Sequence, residues 1–170
     1  MAQLTVDELK KIPLFENLTD KQLPKLLTIM TYITFQKDEK IIIDGDLGDS
    51  AFILLEGEIE ITKQMTLLPE SMTGTNEKSL IKLKGAYKPT IGELSLFDEH
   101  AKRTATVRTL EKSEFASIKR SDFLKLTESD FEIGYRIMMN VSKTLASRLQ
   151  KANVDIMKLT TAFTLALTSR

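Results

Sequence analysis

Gly92-Glu93-Leu94-Ser95-Leu96-Phe97, followed after a short loop by Arg103-Thr104-Ala105-Thr106-Val107, is the most informative stretch of the chain. A glycine lets the backbone approach a ligand closely. A short helical turn opening there presents backbone N–H groups and the positive end of a dipole, which suits a phosphate. Arg103 can add a charge-assisted hydrogen bond to a phosphate oxygen. Glu93 only accepts hydrogen bonds when ionised, so it suits a ligand hydroxyl. A carboxylate and a guanidinium so placed match a small molecule with one phosphate and one free sugar hydroxyl. The same two side chains would also suit a structural Glu–Arg pair.

Around this segment the chain reads as short strands at 32–35, 40–43, 51–56, 58–61, 79–84, 104–109 and 114–119. Glu58-Ile59-Glu60-Ile61 and Ile81-Lys82-Leu83-Lys84 alternate strictly, as half-buried strands do, and Gly45, Gly48 and Gly57 punctuate the turns. Many short strands at regular spacing predict an antiparallel sandwich or barrel. Residues 62–78 contain Pro69 and Gly74 and few β-formers, and read as a long, mobile connection.

Helices flank the strands. Thr5-Val6-Asp7-Glu8 and Thr19-Asp20-Lys21-Gln22 match capping boxes, Pro13 ends the first helix, and Pro24 is placed to kink or shorten the second. Ser121-Asp122 opens one helix, and Ser129-Asp130-Phe131-Glu132 is a third capping box, with no proline after it. Tyr135, Met138, Ser142, Leu145, Leu149, Ala152, Ile156, Leu159, Phe163 and Ala166 then fall at heptad a and d positions, the pattern of a coiled-coil seam. A helix of about 40 residues is about 60 Å long and overshoots a domain this small, so a homodimer through this helix is expected. The division expected is 1–30 for N-terminal helices, 31–120 for the strand-rich domain and 121–170 for C-terminal helices.

Composition narrows the chemistry. The 170 residues, 42% of them hydrophobic, suffice for one folded domain with a core. Lys plus Arg and Asp plus Glu both total 24, so bulk charge draws the chain to neither nucleic acid nor anionic lipid. With no cysteine and a single histidine, disulfides, thiolate metal sites and multi-histidine sites are excluded. No metal is expected. His100 falls between Glu93 and Arg103 and reads as an exposed loop residue, while Phe115, Phe123 and Phe131 read as core. The start of the chain lacks a signal peptide's features, and no apolar run is long enough to span a bilayer. A soluble, cytoplasmic protein without membrane contact is expected.

Gly92 to Val107 resembles the phosphate-binding cassette of the cyclic nucleotide-binding domain family. Lys40-Ile41, Gly45-Asp46, Asp49-Ser50-Ala51-Phe52 and Glu56-Gly57-Glu58-Ile59 look like that family's glycine-marked strands. The resemblance extends over about 12–150, and is to the sensory domain of bacterial catabolite activator-type regulators and to the regulatory domains of cyclic nucleotide-dependent kinases. It implies a mainly β fold, an antiparallel β-roll of jelly-roll type with flanking helices and a long C-terminal dimerisation helix. It implies cyclic AMP as ligand, with cyclic GMP possible, and no catalytic step. Carried onto this sequence, Gly92 opens the cassette, Glu93 accepts from the ribose 2′-hydroxyl, Arg103 pairs with the cyclic phosphate, and backbone amides around Leu94, Ser95, Thr104 and Ala105 complete the cradle. Thr104 has a hydroxyl that permits guanine without demanding it. In the bacterial dimers the long helix supplies polar groups to the base, which here points to 148–153 and to Asn153.

Two features depart from the family pattern. Lys102 stands where proline often precedes the arginine, and Ala86 to Ile91 makes a longer approach to the cassette, leaving the place of Tyr87 open. Catabolite activator-type regulators continue into a helix-turn-helix, and this sequence of 170 residues offers no recognition helix, so direct nucleic-acid binding is not expected. From 143 onward five cations face one anion, Asp155, which suits an acidic partner or a solvated face. The reading is a cyclic nucleotide sensor that signals through its C-terminal helix to a downstream protein the sequence does not identify. The alternative is a dimeric scaffold with a vestigial pocket.

Overall fold

Alternation along β3 (Ser50–Glu56) explains how the layers are arranged. Ala51, Ile53 and Leu55 belong to one buried cluster, and Phe52 and Leu54 to another. A strand apolar on both faces must be covered on both, and β3 lies between a layer of helices and the interior of a β-roll. The computed structural model describes residues 2–64 and 77–168.

The other strands are β1 (Met30–Phe35), β2 (Lys40–Ile42), β4 (Glu58–Gln64), β5 (Glu77–Lys84), β6 (Thr90–Ile91), β7 (Thr106–Thr109) and β8 (Ser113–Lys119). They form two four-stranded sheets, β1-β8-β3-β6 and β2-β7-β4-β5, with every strand pairing antiparallel. This is the mainly β roll with flanking helices that the sequence predicts. Between the sheets lie Ile42, Leu54, Ile59, Ile91, Val107 and Phe115. Phe115 is fully buried, with Phe35 and Phe52 edge-on at 5.6 and 6.3 Å between ring centres.

Several sequence expectations are corrected. β6 is an eighth strand, too short for its two residues to show a period. β7 begins at Thr106, because Thr104 and Ala105 bend out of the ladder. Residues 62–64 and 77–78, expected in a loop, extend β4 and β5 in register from Thr62↔Ser79 to Gln64↔Glu77. The rest of that expected loop, 65–76, lies outside the described residues.

At the N-terminus, α1 (Val6–Leu9) has the full Thr5–Glu8 capping box. The Thr19–Gln22 box opens only a turn: the Gln22 side chain accepts from the Thr19 N–H at 3.0 Å, and α2 (Leu23–Leu27) starts after it. Pro24 therefore sits in the first turn of α2, where its missing N–H costs no helical bond. Between them, Pro13–Phe15 forms a 3-10 turn.

After β8 come α3 (Arg120–Ser129) and α4 (Phe131–Thr168). The α4 cap is Asp130, not Ser129: its Oδ1 accepts from the Ile133 N–H at 3.3 Å, while the Ser129 hydroxyl donates to the Leu126 carbonyl. Asp130 also takes the Lys25 ammonium at 2.8 Å, and that hydrogen bond holds its carboxyl below the usual range. α4 enters the core through Ile133, Ile137, Asn140 and Val141. The buried Asn140 amide donates to the carbonyls of Leu14 at 3.2 Å and Glu16 at 2.7 Å, fixing the helix to the 3-10 turn.

Beyond Thr144 the helix leaves the core. Leu149, Ile156, Leu159 and Phe163 on the predicted seam are all more than half exposed. Phe131 is exposed as well, at 80%, and is not the core residue expected; Phe115 and Phe123 are buried. Ile133 and Asn140 of the α4 core face lie about half a turn round the helix from Phe131, which leaves its ring outside.

Removing the ring at Phe115 leaves a cavity between the sheets that two edge-on neighbours cannot close. Phe115→Ala is expected to lower unfolding free energy by about 3–5 kcal/mol in urea melts; a loss under about 1 kcal/mol would show that the roll does not rest on this ring.

Candidate functional site

Gly92 enters the site in the left-handed region, φ 69°, and starts the 3-10 turn Glu93–Leu96. Ser95 and Leu96 of that turn are buried, and Leu94 stands at the cavity mouth. A cavity of about 360 Å³ opens beside it. Its polar end holds Gly92, Glu93, Ser95, Lys102, Arg103, Thr104 and Ala105, and its apolar wall holds Ile42, Ile61, Ile81, Leu83, Ile91 and Val107. The wall follows from strand register: Ile61 pairs with Ile81 on β5 and with Val107 on β7. Volume and lining together suit a small ligand with one anionic and one apolar end.

Arg103 is held by backbone on every side. Its N–H donates to the Asp46 carbonyl at 2.8 Å, and its own carbonyl accepts from the Gly45 N–H at 2.9 Å. The guanidinium donates to the carbonyls of Ser50 at 2.8 Å and Gly92 at 3.2 Å. A Cβ at Gly48 or at Gly92 would collide with that guanidinium, so both glycines are there for close approach. Burial pushes the Arg103 pKa down, opposed by the charges of Asp49 and Glu93. A guanidinium stays protonated throughout the working range, so the cavity keeps a partly desolvated positive charge.

Glu93 is largely buried, and its Oε1 accepts from Arg148 Nη1 of α4 at 2.6 Å. This ion pair connects the cassette to the long helix directly. Arg148 lines the cavity; Asn153, five residues further along α4, does not, and instead lines a shallow groove with Val154 and Met157 on the outer helix. Gly92, Glu93, Leu94, Ser95, Arg103, Thr104 and Ala105 are thus brought together, and Asn153 is not among them. His100 is exposed and outside the cavity. The longer approach to the cassette is taken up by a 3-10 turn, Gly85–Tyr87, a left-handed Lys88 at φ 45° and then β6, which leaves Tyr87 82% exposed.

Sequence reasoning did not single out Gly48, Ile61, Ile81 and Leu83 for the site. The strict alternation of 58–61 and 81–84 marked the inward faces of β4 and β5, while the closeness of Gly48 to Arg103 is a tertiary fact with no local signature. Among the described residues no cluster of His, Cys, Asp and Glu could hold a metal ion, and no helix is long and apolar enough to cross a membrane.

The antiparallel roll thus brings a partly buried cation, an adjoining carboxylate and an apolar wall into one cavity. Residues 32–130 match the family model of the cyclic nucleotide-binding domain, and the chain belongs to that family. It is 30% identical over 149 residues to glutaminase 1 of Bradyrhizobium diazoefficiens, covering 88% of this chain and 22% of that protein. It is 28% identical over 145 residues to the cGMP-dependent protein kinase, isozyme 1, of Drosophila melanogaster, covering 85% of this chain and 18% of the kinase. The chain thus spans about a fifth of the length of these relatives. Among solved structures, the N-terminal domain of a transcriptional regulator from Streptomyces coelicolor A3(2) superposes with TM-score 0.70 at 26% identity, covering 89% of this chain and 95% of that one.

Packing at Gly48 gives a direct check on this geometry. Gly48→Ala forces the Arg103 guanidinium off the Ser50 carbonyl and is expected to destabilise by about 1–3 kcal/mol, as overpacking does. A variant that melts at the wild-type temperature would mean that the loop yields to the methyl group.

Proposed function

We propose that this chain is a cyclic mononucleotide sensor whose ligand-bound state is read through α4. The observation that carries the reading is Arg103, a partly buried cation held by backbone carbonyls in the same cavity as Glu93. Arg103 pairs with the cyclic phosphate, and the backbone amides of Leu94, Ser95, Thr104 and Ala105 surround it, with Gly92 allowing the close approach. Glu93 accepts from the ribose 2′-hydroxyl. Since Arg148 already bonds its Oε1, a hydroxyl arriving there meets a carboxylate tied to α4. The base lies against Ile61, Ile81 and Leu83, whose carbon surface gives the guanine 2-amino group no partner. That favours cyclic AMP; the exposed Thr104 hydroxyl is what would admit cyclic GMP. Asn153 reaches a base only from a second copy of the chain.

Isothermal titration with cyclic AMP and cyclic GMP tests this reading. Wild type binds at least one of them, and Arg103→Ala weakens that binding by roughly tenfold to a hundredfold, the loss of a charge-assisted hydrogen bond. No heat from either nucleotide, or an unchanged affinity in the variant, would overturn it. A second reading, a dimeric scaffold with a vestigial pocket, is favoured by the Glu93–Arg148 pair, which leaves Glu93 satisfied without a ligand. It requires that neither nucleotide raise the melting temperature.

The exposed seam on α4 supports a homodimer. Leu149, Ile156, Leu159 and Phe163 form an apolar stripe 59–70% exposed in the single chain, and stripes at this spacing are covered by a second helix. Light scattering is expected to give twice the chain mass for wild type and the single mass for Leu149→Glu. A monomeric wild type would overturn the dimer.

A further inference from the structure

Lys63, next to last in β4, is not among the residues lining the cavity, yet its ammonium bonds the cassette backbone. Nζ donates to the Thr104 carbonyl at 2.8 Å and to an Asp44 carboxylate oxygen at 3.0 Å. Asp44 is fixed in turn, its N–H donating to the Thr106 hydroxyl at 3.1 Å. Nothing in the sequence draws attention to this lysine, which reads as one more charge at a strand end.

The Thr104 carbonyl belongs to the same peptide unit as the Ala105 N–H. A peptide unit is planar and trans, so its C=O and N–H point in opposite directions. An ammonium that draws the carbonyl away from the cavity turns the N–H toward it. The preceding unit is fixed the same way, the Arg103 carbonyl accepting from the Gly45 N–H at 2.9 Å, which sets the Thr104 N–H. A cation on the carbonyl oxygen also polarises the amide, and hydrogen bonds in series strengthen one another. Resting on the nucleotide reading above, we infer that Lys63 is a positioning residue for the phosphate: it aims and polarises the Ala105 amide, with Asp44 holding the ammonium in place. Lys63 is about half exposed, so its removal leaves the fold intact.

The test measures binding of cyclic AMP and of its two phosphorothioate diastereomers, in which sulfur replaces one or the other exocyclic oxygen. An aimed amide distinguishes the two oxygens, so the ratio of the two affinities reports its orientation. Lys63→Met is expected to weaken cyclic AMP roughly fivefold to twentyfold, less than the tenfold to hundredfold of a direct hydrogen bond to a charged group because the ammonium acts through the amide, and to move the diastereomer ratio toward one. Lys63→Arg restores most of both, and Asp44→Asn gives a smaller change in the same direction, with melting temperatures near wild type throughout. Affinity and ratio both unchanged in Lys63→Met would overturn the role. So would a loss of affinity at a constant ratio, since that reports general loosening and not a turned amide. A wild type that binds no cyclic nucleotide would overturn the nucleotide reading itself, and the role of Lys63 with it.

Discussion

A guanidinium lodged against bare backbone is the constraint on which this molecule is arranged. Removing the Arg103 charge from water is costly unless hydrogen bonds replace the water, and here carbonyls supply them: those of Ser50 and Gly92. For both to reach, the loop before β3 and the start of the cassette must come within a side chain's thickness of one another. Glycine at 48 and at 92 is what allows it. The left-handed entry to the 3-10 turn at Glu93 and the bend at Thr104 lie where those backbones come together.

The second constraint is the use of α4 for two purposes. Its first turns fill the core beneath the helical layer, through Ile133, Ile137 and Val141, and the Asn140 amide ties it to the 3-10 turn at Pro13–Phe15. Two turns later, Arg148 meets Glu93. One helix therefore touches the core, the N-terminal turn and the cassette in succession, so a shift at the cassette does not need a long chain of intermediaries to reach it. Exposed apolar residues at seam positions already appear at Tyr135, Met138 and Leu145 and continue past these contacts.

Much of this was legible in the residues. The alternation at 58–61 and 81–84, the glycine-marked turns and the change to helical spacing after Ser121 gave the roll and the long helix, and the cassette gave the polar end of the cavity. What was missed has common physical causes. Cap identity at Asp130 and the position of Pro24 in α2 turn on single-residue offsets that local patterns do not resolve. β6 has two residues, too few for any period. Phe131 looked like core by type, but type does not say which side of a helix faces inward. Gly48 against Arg103 and Arg148 against Glu93 are contacts across 55 residues of sequence, set by tertiary packing alone.

Asn140 does more than hold α4 in place. It gives the helix a fulcrum. From there to Thr168 the rod runs on for about 42 Å at 1.5 Å per residue, largely clear of the roll. A tilt of about 5° around that point carries the far end through about 4 Å, while a group as near the fulcrum as Arg148 moves about 1 Å. By that geometry a small displacement near the fulcrum is enlarged at the far end of the rod.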